Sequence, residues 1–191
     1  MTISDAPLRI LVVCTGNICR SPAAAALLRA RSAGLGIEVA SAGTAAVVGH
    51  PIHPLTAAAL AQVGIEDLNH RARQLSPAHV AGADLVLTAE RRHRVAVIEA
   101  DPTALRRTFT IAEFACLSDA VEDPAAAGTP AAWIESVASI RGAKLPPMPS
   151  LDDLADPVLG DLSDHQHMVE GCGRALKRII DGVGTAARAR P

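Results

Sequence analysis

The stretch Cys14-Thr15-Gly16-Asn17-Ile18-Cys19-Arg20-Ser21-Pro22 opens on a nucleophile and closes on a guanidinium. A thiolate attacks electrophilic phosphorus. An arginine fork grips two phosphoryl oxygens at once, which a lysine cannot do. Gly16 permits sharp turns, and Asn17 tolerates positive φ. Ser21 suits a helix N-cap and Pro22 the first helical position. The loop is therefore expected to end where free backbone N–H groups meet the positive end of a helix dipole, an anion site. The dipole contributes only about 0.3–1 kcal/mol. Holding Cys14 as a thiolate also needs several loop N–H donors, the Ser21 hydroxyl and Arg20. The chemistry these residue types fit is thiolate attack on a phosphoryl group.

The elements around the loop suit that role. Leu8 to Val13 is apolar almost without interruption and reads as a buried parallel strand. An alanine-rich helix follows from Pro22 to Ala33 and stops at Gly34. Further strands are expected at 37–40, 83–88 and 108–111, ahead of or behind helices at 54–63, 76 onward and 90–100. In the last of these, Val95 and Ile98 are expected on one side and the basic residues on the other. Residues 118–150 are rich in Ala, Pro and Gly, with one helix expected from Thr129-Pro130 to Ile140 around Trp133 and a stiff linker at Pro146-Pro147-Met148-Pro149. A final helix is expected over 161–183, with Met168, Val169, Leu176, Ile179 and Ile180 facing inward. The alternation predicts an α/β fold, doubly wound, with the reactive loop at the carboxyl end of the first strand, where such sheets bind ligands.

The chain has 191 residues, 49% hydrophobic and 20% charged, which is enough for one domain with a sizeable core. A formal net charge of −2 and the absence of a basic block argue against a nucleic-acid partner. The N-terminal apolar run is too short for a signal peptide or membrane helix, so a cytoplasmic protein without a membrane partner is expected. Two of the four cysteines sit inside the loop and Cys116 and Cys172 are scattered, which is not a disulfide framework.

The stretch Val13 to Pro22 resembles the phosphate loop of low-molecular-weight protein tyrosine phosphatases: Cys-x5-Arg, Gly-Asn inside it, a second Cys and a closing Ser-Pro, all at the end of an N-terminal strand. The resemblance covers about residues 8–117 and 151–183. It implies a three-layer α/β/α domain with a four-stranded parallel sheet, spanning 1–191 with a family-atypical insertion at about 118–150. It carries phosphate binding to residues 15–21. Ser41, in Ser41-Ala42-Gly43-Thr44, is placed beside Asn17, and His70 behind the loop. It also implies a reversible disulfide between Cys14 and Cys19.

The family takes its general acid from an Asp-Pro pair shortly before the last helix. Asp101-Pro102 reads as a helix stop and Asp123-Pro124 as a turn, which leaves Asp156-Pro157, with Asp152 and Asp153 as nearby competitors. The implied reaction has Cys14 attack phosphorus while Asp156 protonates the leaving oxygen, with no metal or other cofactor. Substrates would be phosphorylated proteins, phosphotyrosine above all, or small phosphomonoesters. Two departures stand out. Val158 and Leu159 replace the aromatic residues expected after Asp-Pro, and Ala45-Ala46-Val47-Val48 offers no aromatic wall; the chain has no Tyr. Two alternatives remain: a thiol-dependent arsenate reductase, for which Cys116 and Cys172 are far apart in sequence, and a phosphate-binding regulatory module without catalysis. A metal site at His50, His53, His165 and His167 is read as less economical than surface histidines.

Overall fold

A four-stranded parallel sheet in the order β2-β1-β3-β4 runs through the computed structural model, which describes residues 6–66, 68–142 and 153–189. The strands are β1 (Leu8–Cys14), β2 (Ile37–Gly43), β3 (Leu85–Thr88) and β4 (Thr108–Thr110). β1 is central and pairs with β2 from Leu8↔Ile37 to Cys14↔Gly43, and with β3 from Ile10↔Leu85 to Val13↔Thr88. Being covered on both faces, it is buried everywhere except Arg9, which explains its continuous apolar run. The chain leaves β1 toward β2 and then crosses back to β3. This reversal of strand order opens a crevice at the carboxyl end of β1.

On one face, Ile10, Val12, Leu85, Leu87 and Phe109 pack against α1 (Arg20–Arg31), α2 (Pro54–Gln62), α5 (Ile111–Ser118), α6 (Pro130–Ser139) and α7 (Leu162–Arg188). Ala23, Ala24 and Ala25 of α1 are fully buried, so small side chains let this helix lie close on the sheet. On the other face, Leu11, Val13 and Val86 meet Val80 of α3 (Pro77–Ala81) and Val97 of α4 (Arg91–Ala100). Asp161 caps α7 by accepting from the N–H groups of Ser163 and Asp164, and the Asp164 carboxylate returns a bond to the Asp161 N–H. No described helix is long and apolar enough to cross a membrane.

Several expected boundaries move. β2 runs on through Ser41 and Ala42 to Gly43, because its pairing with β1 holds to the last residue of that strand. β4 ends at Thr110, not Ile111: the Thr110 hydroxyl accepts from Glu113 N while Glu113 bonds back, a capping box that starts α5, a helix not expected from the sequence. In α4 the inward residues are His93 and Val97, whereas Val95 is 55% exposed; the buried stripe follows a basic residue because His93 is drawn toward the loop. Thr129 caps α6 by accepting from Ala132 N, and Trp133 on that helix is fully buried, edge-on to Phe114 and over Gly182. The Pro146–Pro149 linker lies outside the described residues.

Candidate active site

The loop after β1 is shaped from outside. Thr44 N donates to Cys14 O, Ala45 N to Thr15 O, Val47 N to Gly16 O, His53 N to Ile18 O, and His70 Nε2 lies 2.8 Å from Asn17 O. Five consecutive carbonyls are thus drawn outward. Trans peptide geometry turns the N–H groups of residues 15–19 the other way, into the concavity. The reversal is made at Asn17, whose φ is +53°. Gly16 needs no such angle, so the expected role of glycine in the turn falls to Asn17.

Asn17 is fully buried and fully engaged. Its amide nitrogen donates to Ser21 Oγ at 2.8 Å and Ser41 Oγ at 3.0 Å, and its Oδ1 accepts from Arg73 N at 2.9 Å. Gly43 is the residue whose size matters here. A Cβ on it would lie 2.3 Å from Thr15 O and 3.0 Å from Asn17 Cβ, so β2 can approach the loop only through glycine. Burial pushes the His70 imidazole below its ordinary value, partly offset by the bond to Asn17; as a neutral ring it donates to that carbonyl.

Ser21 is not a cap. Helix α1 begins two residues earlier than expected, with Cys19 at the N-cap and no capping side chain. The Ser21 hydroxyl instead sits 2.9 Å from Cys14 Sγ and 3.4 Å from Ala42 O. Pro22, in the first turn, gives up an N–H that has no intrahelical acceptor there.

Arg20 is almost wholly buried and held by two acids. Nη1 donates to Glu90 Oε1 and to Leu154 O; Nη2 donates to Asp156 Oδ2 at 2.5 Å and reaches Thr15 Oγ1 at 3.5 Å. Among the described residues, Nε is buried with no acceptor. Burial works against the charge on Glu90, but the bonds from Arg20 and Arg92 prevail and hold its carboxyl below the usual range.

Asp156 reaches the loop because its segment docks on the end of β3. Leu154 N donates to Ala89 O, and Arg91 N donates to Asp153 Oδ1 at 2.8 Å. The Asp153 carboxylate is therefore turned to the start of α4, while that of Asp156 faces Arg20. Asp152 lies outside the described residues.

Two residues escaped the sequence reading. Glu90 anchors Arg20. Buried His93 places Nε2 2.8 Å from Thr15 Oγ1 and is pushed down to about 4, chiefly by burial. Both follow β3 directly, at the carboxyl end of the strand beside β1, and that position was the available signal. The histidines also depart from expectation: His50 and His167 are exposed, but His165 is fully buried and stacks on His53.

Comparison with known proteins agrees with this geometry. The family described as low molecular weight phosphotyrosine protein phosphatase matches residues 9–141. The chain belongs to that family. It is a phosphatase. A protein-arginine-phosphatase from Geobacillus stearothermophilus is 41% identical over 119 residues, 62% of this chain and 79% of the relative. A probable low molecular weight protein-tyrosine-phosphatase, EpsP, from Ralstonia solanacearum is 42% identical over 104 residues, 54% of this chain and 70% of the relative. The solved YwlE arginine phosphatase from Geobacillus stearothermophilus superposes with a TM-score of 0.70 at 30% identity, covering 92% of each chain. The low molecular weight protein tyrosine phosphatase from T. tengcongensis gives 0.69 at 28% identity, covering 91% of this chain and 98% of its own.

Proposed function

We propose that this phosphatase hydrolyses phosphate monoesters on proteins, phosphotyrosine foremost, through a cysteinyl-phosphate. The observation that carries the reading is the buried, unaccepted Nε–H of Arg20, set at the end of a loop whose N–H groups turn inward. A buried donor without an acceptor calls for one, and phosphoryl oxygens fit both the guanidinium and the loop. Cys14 Sγ, 2.9 Å from the Ser21 hydroxyl, attacks phosphorus. The P–O bond breaks, and Asp156 gives its proton to the leaving oxygen. Asp156 then takes a proton from water, whose oxygen displaces sulfur and frees phosphate and the Cys14 thiolate. Residues 15–21 hold the phosphoryl group, with Ser41 and His70 as supports.

The chain is read as one domain. Trp133 of α6 packs against Phe114 of α5 and Gly182 of α7, so residues 118–142 share the core of the rest. The arsenate reductase reading is weaker, because a thiol relay needs accessible partners. Cys172 is fully buried in α7, its thiol pushed up to about 12 by burial, which leaves Cys116, exposed on α5, as a single accessible thiol outside the loop where a relay needs more. A second substrate, protein phosphoarginine, is favoured by the aliphatic rim of Val47, Val48, Val158 and Leu159 and by the arginine phosphatase among the relatives.

The deciding experiment is Cys14→Ser against aryl phosphate, phosphotyrosine peptide and phosphoarginine peptide. Loss of turnover on all three with the fold intact is expected. Near-normal turnover would end the covalent reading, and the wild-type ranking of the three assigns the substrate.

A further inference from the structure

Behind the phosphate loop, three side chains that the proposed reaction does not use for chemistry converge. Cys19 Sγ, one ring nitrogen of His53 and one of His165 all lie within 4.8 Å of one another. They come from three elements: Cys19 from the loop, His53 from the N-cap of α2, and His165 from the start of α7. The backbone holds two of them near each other, since His53 N donates to Ile18 O, the carbonyl just before Cys19, at 2.8 Å. The two rings stack with centroids 4.9 Å apart and planes 7° from parallel.

Their polar atoms are poorly satisfied. His165 is fully buried, and its Nδ1 lies 2.7 Å from Thr56 Oγ1. Among the described residues His53 Nδ1 is buried with no hydrogen-bond partner, and His165 Nε2 meets no well-aligned acceptor, with only the Pro157 backbone in reach. Two buried, poorly satisfied imidazole nitrogens beside a thiol lack a structural reason as they stand. A shared ligand supplies one. A sulfur and two imidazoles suit a borderline-soft divalent cation, and hard cations prefer oxygen.

We propose that Cys19, His53 and His165 form a Zn²⁺ site that fastens the phosphate loop to α2 and α7. Tetrahedral zinc places ligand atoms about 3.3–3.6 Å apart, so the three need to close by roughly 1 Å, and one imidazole must turn out of the parallel stack before both in-plane lone pairs meet at one ion. Binding replaces the Cys19 S–H bond with an S–Zn bond and releases the proton to solvent, so affinity rises with pH. Three protein ligands leave the fourth position to solvent, and half-buried His53 gives the ion a way in. Thr56, bonded to His165, orients that ring as an outer-shell partner.

The test is a calorimetric titration of the reduced, metal-free full chain with Zn²⁺, repeated with Co²⁺ to read the thiolate-to-metal charge-transfer band. The wild type should bind one equivalent and show the band. His53→Gln and His165→Gln should each weaken binding at least about tenfold, while Cys14→Ser should keep it. Far-UV circular dichroism checks each fold. If buried His165→Gln unfolds, half-buried His53→Gln decides. No binding at micromolar Zn²⁺, undiminished affinity in His53→Gln, a missing charge-transfer band, or loss with Cys14→Ser would each overturn the site.

Discussion

The Arg20 guanidinium holds the Asp156 carboxylate, Nη2 to Oδ2, at 2.5 Å. The proposed general acid and the phosphoryl oxygens therefore compete for one cation. A phosphate taking that nitrogen releases the carboxyl group beside the leaving oxygen, where a proton is needed. Substrate entry itself would arm the acid.

Asp156→Ala separates the two roles. Turnover of a substrate with a poor leaving group should fall by roughly 10²–10⁴-fold, the usual worth of general acid catalysis. Inorganic phosphate should at the same time inhibit a few-fold more strongly, since an anionic competitor for Arg20 is gone. Unchanged phosphate inhibition would show that the ion pair does not compete. If Asp153→Ala shows the turnover loss instead, the acid is misassigned, although the Asp153 carboxylate already accepts from Arg91 N.

Glu90 is the second anchor of Arg20, with side chains 14% and 2% exposed. Glu90→Gln keeps an acceptor and removes the charge. It should cost on the order of 1.5–3 kcal/mol of stability, the range for a hydrogen bond to a charged group. It should also lower kcat/KM by about tenfold to a hundredfold, because a misplaced fork no longer matches the transferring group. Denaturant melts and steady-state kinetics measure the two. A stable variant with full activity would mean that Leu154 O and Asp156 suffice to aim Arg20.

Much of this was legible in the sequence, for a physical reason. The proposed phosphate loop needs particular residues at fixed offsets, so Cys14, Asn17 and Arg20 stand out as candidates, and the buried strand before them shows in its unbroken apolar run. The exact helix start was hidden: Ser-Pro reads as a cap until the Ser21 hydroxyl is seen facing Cys14. Glu90 and His93 were hidden because their partners are 70 and 78 residues away, and nothing local marks a residue that works at such a distance. The His53–His165 stack was invisible for the same reason, joining α2 to α7 across the fold.

His93 sets a pH dependence. Burial pushes it down to about 4; Glu90 and Asp156 pull it back up, and Arg20 and Arg92 push it further down. An unfolded histidine takes up its proton near pH 6.5. Between those values the unfolded chain holds more protons than the folded one. Stability is thus full above about pH 6.5 and declines as pH falls toward about 4. His70, His79 and His165 are lowered too and add in the same direction. Denaturant melts from about pH 7 to about 4.5 should show the decline, and His93→Gln should make it shallower. A slope unchanged in that variant would place the effect in the other histidines.

The rim decides how tightly an aryl group is held. Val47 and Val158 are each 39% exposed, Val48 66% and Leu159 98%; Val47 lies against Gly16 of the loop, and the positions where aromatic walls are expected hold aliphatic side chains. Trp133 does not supply the missing aromatic wall: it is fully buried between Phe114 and Gly182. An aliphatic rim buries a ring but lacks stacking, worth about 0.5–1.5 kcal/mol per contact. Val158→Tyr should restore one such contact and tighten a nonhydrolysable phosphotyrosine analogue by up to about tenfold. Inhibition by inorganic phosphate, which touches only the loop, should not move. Because Trp133 is sealed in the core, its emission should stay constant as the analogue binds to the wild type. Tight wild-type binding with a large emission change would mean that α6 rearranges over the substrate and that the rim in use is not the aliphatic one.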